Sequence, residues 1–309
     1  PEGARDFVVP SRLQPGSFYA LPQSPQLLKQ LLMVGGVERY YQVAKCFRDE
    51  DLRADRQPEF TQVDIEMSFV EQDDVMAQLE DVLSDAFARV GVEMPTPLRR
   101  LSYWDAMDTY GSDKPDTRYG MELVDLTDVF ANSAFKVFAS AATTEGHVVK
   151  AINAKGAGAW PRAQIDKLAK VAATFGAKGL AWIAFREDGS VNSPIVKFFT
   201  DEERAELRRR CDVEPGDLVM FAAGPRLEAN GILGGMRSHM ADALNVPREG
   251  HEFLWVVNFP LFHWDEEGQR YEAEHQPFTL PHVDELHLLD EDPLKMGSCT
   301  YDFVMDGFE

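Results

Sequence analysis

The sequence predicts an α+β fold, and three observations lead to that prediction. Residues 39–69 contain two segments of alternating polarity joined by a charged loop, which is the pattern of a β-hairpin. Residues 73–90 carry apolar side chains at helical spacing. Residues 119–246 alternate predicted strands with predicted helices, each with a periodic apolar face. With 309 residues, 44% of them hydrophobic, the chain can form one large domain or two ordinary ones.

The hairpin is predicted to present a polar face with charges of both signs. Its second strand points four polar side chains one way, Gln62, Asp64, Glu66 and Ser68, and four apolar ones the other way, Val63, Ile65, Met67 and Phe69. Its first strand is expected to place Gln42, Arg48 and Glu50 opposite Tyr41, Val43 and Phe47. A solvated face also alternates, and for most hairpins that explanation is sufficient. Here the density of arginine and carboxylate groups favours a site for a ligand with phosphate and ammonium groups.

The elements around the hairpin follow from local signals. A helix is expected over Ser24–Val34, capped by Ser24 with Pro25 in its first turn. The helix near 73–90 is expected to pack five side chains into the core, Val75, Leu79, Val82, Leu83 and Phe87. Residues 99–120 then predict a strand, a short helical turn and a loop rich in Gly, Asp and Pro.

The rest of the chain predicts further strands and helices. The expected elements are strands near 150–153, 180–185, 253–262 and 300–309, a turn followed by a strand within 213–224, and helices near 162–175 and 201–211. Three regions are therefore predicted, 1–118, 119–246 and 247–309. The first and third are expected to form one discontinuous domain, with the middle region inserted as an α+β unit.

Composition excludes several classes of protein. No window approaches the roughly 20 apolar residues of a membrane span. Three widely spaced cysteines exclude a disulfide framework and a CxxC metal site, and fit a reducing cytoplasm. The net charge of −21 argues against a broad nucleic-acid surface, while leaving room for local contacts from the loop at Arg53–Arg56.

One long stretch resembles a known family. Residues 47–64, FRDEDLRADRQPEFTQVD, resemble motif two of the class II aminoacyl-tRNA synthetases of the bacterial aspartyl type. The segments PEGARDFVVPSR at 1–12 and FYALPQSPQLLKQLLM at 18–33 strengthen the resemblance, which covers essentially the whole chain. It implies a class II synthetase-type antiparallel sheet flanked by helices. The middle region resembles the GAD insertion of bacterial aspartyl synthetases and some amidotransferase subunits.

The resemblance also implies a reaction. It is the ATP-dependent activation of L-aspartate to aspartyl-adenylate, followed by transfer to the 3′ end of tRNA(Asp), with tRNA(Asn) left open as a second acceptor. The cation would be Mg²⁺, and the full-length parent would be a homodimer. The family continues beyond Glu309 to an aspartate-clamping arginine and motif three, and has a motif-one helix and an OB-fold before Pro1. We therefore expect this chain alone to be inactive or nearly so.

Site residues follow from the same resemblance. Arg48 is the expected catalytic residue, because an arginine fork can bind the α-carboxylate and the ATP α-phosphate together. The aspartate site is expected to contain Glu2, Ser24, Gln26, Lys29, Arg48, Gln62, Asp64 and His275. The ATP site is expected to contain Arg48, Asp49, Glu50, Gln57, Phe60 and Glu309, with Asp302 and Glu309 on the metal. Contacts to the tRNA acceptor end are expected from Arg53, Asp55 and Arg56.

Several of these assignments compete with simpler explanations. Taken alone, Ser24, Gln26 and Lys29 indicate a capped surface helix, and Phe60 a packed strand aromatic. The family usually has two adjacent histidines where this chain has His275 and Gln276. Asp302 and Glu309 are seven residues apart, which on a plain strand puts them on opposite faces unless a turn intervenes near 306–307.

Two other functions compete with the synthetase. One is a non-catalytic RNA-binding or regulatory module derived from a synthetase, and the other is an asparagine-forming ligase on the same core.

Overall fold

The computed structural model describes residues 4–51, 56–276 and 278–309. The chain divides into two compact units, one formed by residues 1–97 with 272–279 and the other by 98–271 with 280–309. Residues 119–246 thus share a unit with most of the third predicted region. The division into 1–118, 119–246 and 247–309 stays a prediction.

The first unit is built around a long hairpin. Its elements are β1 (Val8–Pro10), β2 (Phe18–Ala20), α1 (Gln26–Val34), β3 (Arg39–Phe47), β4 (Glu59–Met67) and α2 (Gln72–Ala88). Strands β3 and β4 pair antiparallel over nine residues each, which confirms the predicted hairpin. The prediction that Arg48 and Glu50 extend the first strand is wrong. The Arg48 amide still donates to Pro58 O at 2.9 Å, but Asp49 exchanges both of its backbone hydrogen bonds with Arg5, at 3.1 and 3.2 Å.

The two faces of the hairpin alternate as predicted, but the apolar face carries the exposed side chains. Tyr41, Val43 and Val63 are 78%, 66% and 65% exposed. On the polar face, Asp64 and Glu66 keep only 14% and 30% of their side chains exposed, because Lys29 of α1 lies against them. The polar face of β4 is therefore covered, and a merely solvated face does not explain it.

Both helices of the first unit differ in detail from the expectation. Helix α1 begins at Gln26 with Pro25 as its N-cap, and no side chain caps it. Ser24 is therefore not the cap, although its Oγ accepts a 3.4 Å hydrogen bond from the Gln26 amide. Helix α2 buries Met76, whereas Val82, expected in the core, is 46% exposed.

The second unit contains the other elements of the chain. They are β5 (Arg99–Ser102), α3 (Tyr103–Tyr110), β6 (Val124–Asp125), α4 (Lys136–Thr143), β7 (His147–Ala154), α5 (Arg162–Thr174), β8 (Ala181–Phe185), β9 (Val191–Asn192), α6 (Asp201–Arg210), β10 (Leu218–Pro225), α7 (Arg226–Ala243), β11 (Phe253–Val257), β12 (Phe262–Asp265), β13 (Arg270–Ala273), α8 (Leu288–Glu291) and β14 (Tyr301–Met305). Within β13 the chain passes back into the first unit. In the described residues, no helix is both long and apolar enough to cross a bilayer.

A five-stranded antiparallel sheet, ordered β6-β7-β10-β8-β9, lies at the centre of residues 119–246. Alternate residues of β10 enter two separate cores. Met220 packs with Leu168 and Leu233 in one core, and Phe221 packs with Phe138 in the other. Since both faces of the sheet are buried, its strands are nearly continuous apolar runs.

Helices α4 and α7 were not anticipated from the sequence. Helix α7 contains glycines, which lower helix propensity. Two of them are required by close packing: a Cβ on Gly234 would lie 2.2 Å from the carbonyl oxygen of Gly111, and one on Gly235 would lie 2.5 Å from the Phe175 ring. Tertiary contact therefore keeps glycine where local propensity disfavours it.

A salt-bridge cluster joins α3 to this sheet. The Asp108 carboxylate accepts hydrogen bonds from Lys150 of β7 at 2.7 Å and from Arg226 and Asn230 of α7. Burial alone would raise the pKa of Asp108, but these donors outweigh it and hold the pKa well below its ordinary value. Residues 119–246 and the β5–α3 segment before them are thus linked through one half-buried carboxylate.

A smaller sheet is ordered β14-β11-β5. Strand β11 pairs antiparallel with β14 and, contrary to a purely antiparallel expectation, parallel with β5. The first and third predicted regions therefore contribute to one sheet. The strand predicted over 300–309 ends at Met305, where Asp306 and Gly307 take positive φ values of 56° and 87° and form a turn.

Candidate functional site

Four side chains on one face of β4 organise the candidate site. Phe60, Gln62, Asp64 and Glu66 are alternate residues of the strand, so their side chains lie about 7 Å apart along one line. The β3 partners of the first three are Cys46, Ala44 and Gln42.

Lys29 anchors one end of this line. Its Nζ lies 2.7 Å from Asp64 Oδ1 and 3.1 Å from Glu66 Oε2, with 8% of the side chain exposed. Burial disfavours the charged lysine, but the hydrogen bonds and charges of the two carboxylates outweigh it and raise the pKa of Lys29. Lys29 and Asp64 were both expected in the aspartate site, and they lie together as an ion pair.

Asp64 retains an unused acceptor within this pair. Its Oδ2 atom is buried and has no hydrogen-bond partner in the described part of the chain. A buried acceptor without a donor is unfavourable, so an incoming ammonium group would gain a hydrogen bond here at little further desolvation cost.

Arg48 lies at the other end of the line. Its guanidinium stands 5.1 Å from the centroid of the Phe60 ring, and its Nε donates to the Gln23 carbonyl at 3.3 Å. The expected catalytic arginine and the expected adenine-stacking ring are therefore in contact. The guanidinium is oriented by a cation–π contact and a backbone carbonyl.

Gln23 also belongs to the candidate site, although the motifs in the sequence do not single it out. It is 7% exposed, and its Nε2 donates to Ala4 O at 3.1 Å and Asp6 Oδ1 at 2.5 Å. It thus connects the 4–6 segment to the carbonyl that holds Arg48. The signal available in the sequence was its place in the LPQSPQ run, beside Ser24 and Gln26.

Gln62 lies between the two charged ends. The buried Cys46 thiol lies 3.2 Å from Gln62 Oε1 and holds that amide in place. In the loop after β3, Glu50 lies 4.0 Å from Arg56, while Asp49 and Gln57 are exposed. Three expected site residues lie outside the described residues, Glu2, Arg53 and Asp55.

A cavity of about 370 Å³ collects another part of the predicted aspartate site. It is lined by Ser24 and Gln26 together with Gln23 and Gln276, and does not include Lys29, Arg48 or Asp64. The expected aspartate residues thus fall into two groups in the same unit. Gln276, which stands where the family has a second histidine, is in the cavity wall.

His275 also lies in the first unit, half-buried. Burial lowers its pKa, with a smaller opposing effect from Glu274, so the imidazole is neutral at pH 7.

Asp302 and Glu309 lie in the second unit, and the turn at Asp306–Gly307 folds Glu309 back toward Asp302. Burial, followed by the charges of Glu309 and Asp113, raises the pKa of Asp302 to about 7. Lys114 Nζ lies 3.4 Å from Glu309.

The donor set of this carboxylate pair fits Mg²⁺. Mg²⁺ takes one or two carboxylates and completes its shell with water and phosphate oxygens. Across residues 4–51, 56–276 and 278–309, no cluster of three or more His, Cys, Asp and Glu side chains is placed to hold a metal. The pair would therefore need a ligand's oxygens to complete the coordination shell.

The chain is similar to proteins of one known family. Residues 1–309 match the model of the tRNA synthetases class II (D, K and N). The chain is 54% identical over 312 residues to the aspartate–tRNA ligase of Geobacillus kaustophilus, covering 100% of this chain and 52% of that protein. It is 52% identical over 317 residues to the aspartate–tRNA(Asp/Asn) ligase of Symbiobacterium thermophilum, covering 100% and 53%. The chain thus spans about half the length of the curated relatives it matches.

Proposed function

Because this chain belongs to the class II tRNA synthetases (D, K and N), we propose that the whole protein is an aspartate–tRNA ligase. It would activate L-aspartate with ATP and transfer it to tRNA(Asp). The names of the relatives support this choice within the family, and some of those names include tRNA(Asn) as a second acceptor. The observation that carries the proposal is the Lys29–Asp64–Glu66 cluster on the same strand face as the Arg48–Phe60 pair.

This cluster is complementary to aspartate. The substrate has a side-chain carboxylate and an α-ammonium group, which match Lys29 and Asp64 respectively. The two protein groups pair with each other in the structure. Aspartate binding would exchange this internal pair for two pairs with the ligand, so neither charge is left buried alone. Ser24, Gln26, Gln62 and His275 would supply further hydrogen bonds, with Glu2 at the ammonium.

Arg48 would act on the reacting atoms. An oxygen of the α-carboxylate attacks the α-phosphorus of ATP, the bond from that phosphorus to the β-phosphate bridging oxygen breaks, and pyrophosphate leaves. A guanidinium that binds both reactants stabilises the charge that develops between them. Phe60 would stack on adenine, with Asp49, Glu50 and Gln57 contacting the nucleotide. The terminal adenosine hydroxyl of tRNA then attacks the carbonyl carbon and releases AMP.

Asp302 and Glu309 would hold Mg²⁺. When bound, the ion neutralises phosphate charge and orients the leaving group. Asp302 would supply oxygen ligands from β14, and Glu309 from the residues that follow the Asp306–Gly307 turn.

The remaining assignments complete the proposal. Residues 119–246 would be the GAD insertion. Arg53, Asp55 and Arg56 would approach the tRNA acceptor end, and the full-length protein would be a homodimer. We place it in the cytoplasm, where the three cysteines would stay reduced as thiols.

Aspartate-dependent ATP–pyrophosphate exchange tests the function. It should be measured on this chain and on a chain extended to the length of its relatives, each with and without Arg48→Ala. We expect exchange in the extended protein, a loss of at least about a thousandfold with R48A, and little activity in the 309-residue chain. Lys45→Met is the matched control, because Lys45 lies on the same hairpin but pairs with Glu59 in solvent. A folded, extended protein without exchange would leave the non-catalytic module as the better explanation. Formation of asparagine would identify the asparagine-forming ligase.

A further inference from the structure

The segment Gly111–Arg118, GSDKPDTR, has no role in the function proposed so far. We name it the 111–118 loop. It contacts three residues at the end of the chain, Asp306, Gly307 and Glu309. Lys114 Nζ lies 3.4 Å from Glu309, and Arg118 Nη1 lies 3.3 Å from Asp306. A Cβ on Gly307 would lie 3.0 Å from Asp116 Cβ.

The loop is itself rigidly held. Arg118 forms two hydrogen bonds with the Asp116 carboxylate, at 2.9 and 2.8 Å, and Arg248 lies 3.4 Å from the same group. Arg237 is 2% exposed and donates to three backbone carbonyls, those of Asp116, Tyr119 and Gly120. The loop is thus fixed to α7 independently of the turn that it contacts.

The Asp306–Gly307 turn also forms hydrogen bonds with the residues just before β11. Asp306 accepts hydrogen bonds from His251 Nδ1 at 2.6 Å and from the Glu252 amide at 2.9 Å, and its own amide donates to Glu252 O. Asp306 is therefore held between Arg118 and the start of β11. Its backbone has a positive φ, so its conformation depends on such contacts.

We propose that the 111–118 loop is the positioning element of the Asp302–Glu309 cation site, and that the Lys114 ammonium competes with the cation for Glu309. This inference rests on the metal assignment made above. Arg118 acts through Asp306 by fixing the turn that brings Glu309 toward Asp302. Lys114 acts on Glu309 directly and is displaced when a divalent cation binds.

The proposal predicts effects of opposite sign for two neighbouring cations. Lys114→Met removes the competing ammonium, so cation affinity should rise by about tenfold, the effect of a unit charge about 5 Å from a divalent ion in water-like surroundings. Arg118→Gln also removes a positive charge, and electrostatics alone would again tighten binding. If Arg118 positions the turn, R118Q should instead weaken binding by at least about fivefold.

Mn²⁺ shares the oxygen-ligand preference of Mg²⁺ and can be titrated by electron paramagnetic resonance. The protein is this chain with a short Gly-Ser extension, which moves the terminal carboxylate away from Glu309. Lys155→Met is the matched control, because Lys155 pairs with Asp212 and Glu214 elsewhere in the second unit and should leave Mn²⁺ affinity unchanged. Tryptophan fluorescence checks folding, since Trp104, Trp160, Trp182, Trp255 and Trp264 all lie in this unit.

The outcomes separate the metal assignment, the role of Arg118 and the role of Lys114. If Asp302→Asn leaves Mn²⁺ binding unchanged, the metal assignment and this inference are both wrong, whatever pyrophosphate exchange shows. If D302N abolishes binding but folded R118Q binds as tightly as the parent or more tightly, the assignment stands and the positioning role is wrong. If R118Q does not fold, His251→Gln, which loosens the same turn from the other side, must weaken binding instead. Unchanged or weaker binding in K114M overturns the role of Lys114.

Discussion

The Lys29 cluster gives the most informative test of the first unit. In Lys29→Met, a side chain of similar length loses only its charge and leaves the carboxylates of Asp64 and Glu66 without a cation. Breaking a buried pair costs about 3–5 kcal/mol, and an exposed pair less than about 1 kcal/mol. Asp64 is 14% exposed and Glu66 30%, so we expect the low end of the buried range, about 3 kcal/mol.

The arrangement of tryptophans supplies an internal control for this experiment. All five lie in the second unit, so tryptophan fluorescence in urea reports that unit alone. Hydrogen exchange of peptides from β3 and β4 reports the first unit. A loss of about 3 kcal/mol should speed exchange of the β3 and β4 amides by roughly a hundredfold, while the fluorescence midpoint stays unchanged.

The stabilisation that Lys29 provides depends on pH in a defined direction. The pKa of Lys29 is raised in the folded state, so its stabilisation is complete below its ordinary value of 10.5 and is lost only as the pH rises above it. Between pH 5 and 9 the stability difference between parent and K29M should therefore be nearly constant.

The refuting result is specific. Lys45→Met is the matched variant, since Lys45 pairs with Glu59 on the same hairpin but both side chains are more than half exposed, at 62% and 53%. If K29M and K45M accelerate hydrogen exchange of the β3 and β4 amides equally, burial does not determine the strength of these ion pairs, and the prediction is wrong.

Three further predictions concern the second unit. Asp108→Asn should destabilise the second unit by about 2 kcal/mol at pH 7, which tryptophan fluorescence in urea would measure. Because the pKa of Asp108 is depressed in the folded state, the stability difference from the parent should shrink as the pH falls below about 4. Gly234→Ala should lower the free energy of unfolding by more than about 3 kcal/mol, because its Cβ would enter a backbone contact. Gly231→Ala on the same helix has open space around its Cβ and should raise that free energy by up to about 1 kcal/mol. Equal urea midpoints for the two variants would contradict this prediction. Burial raises the pKa of Cys211 to about 12, so a thiol reagent at pH 8 should modify the half-buried Cys299 well before Cys211 in the folded chain, and the reverse order would contradict it.

Local patterns in the sequence predicted most of the elements. The period-two alternation of residues 39–69 predicts the hairpin and the shared face of Gln62 and Asp64, because side chains of a strand alternate regardless of what surrounds it. For Asp302 and Glu309 the sequence leaves a plain strand and a turn near 306–307 as alternatives, and the structure has the turn. Helix α7 was missed because Gly234 is required by contact with Gly111, more than a hundred positions earlier in the printed chain.

The strand alternation, the family resemblance and the residue types available for a site follow from the amino-acid sequence alone. Which of those residues meet depends on how the chain packs in three dimensions. Lys29 pairs with Asp64 across 35 positions, and Arg48 is held by the carbonyl of Gln23 across 25. A backbone carbonyl is present in every residue, so no residue type in the sequence marks the one that orients Arg48. Ion pairing depends on burial and distance in space, which the packing of α1 against the hairpin fixes and the spacing of charges along the chain does not.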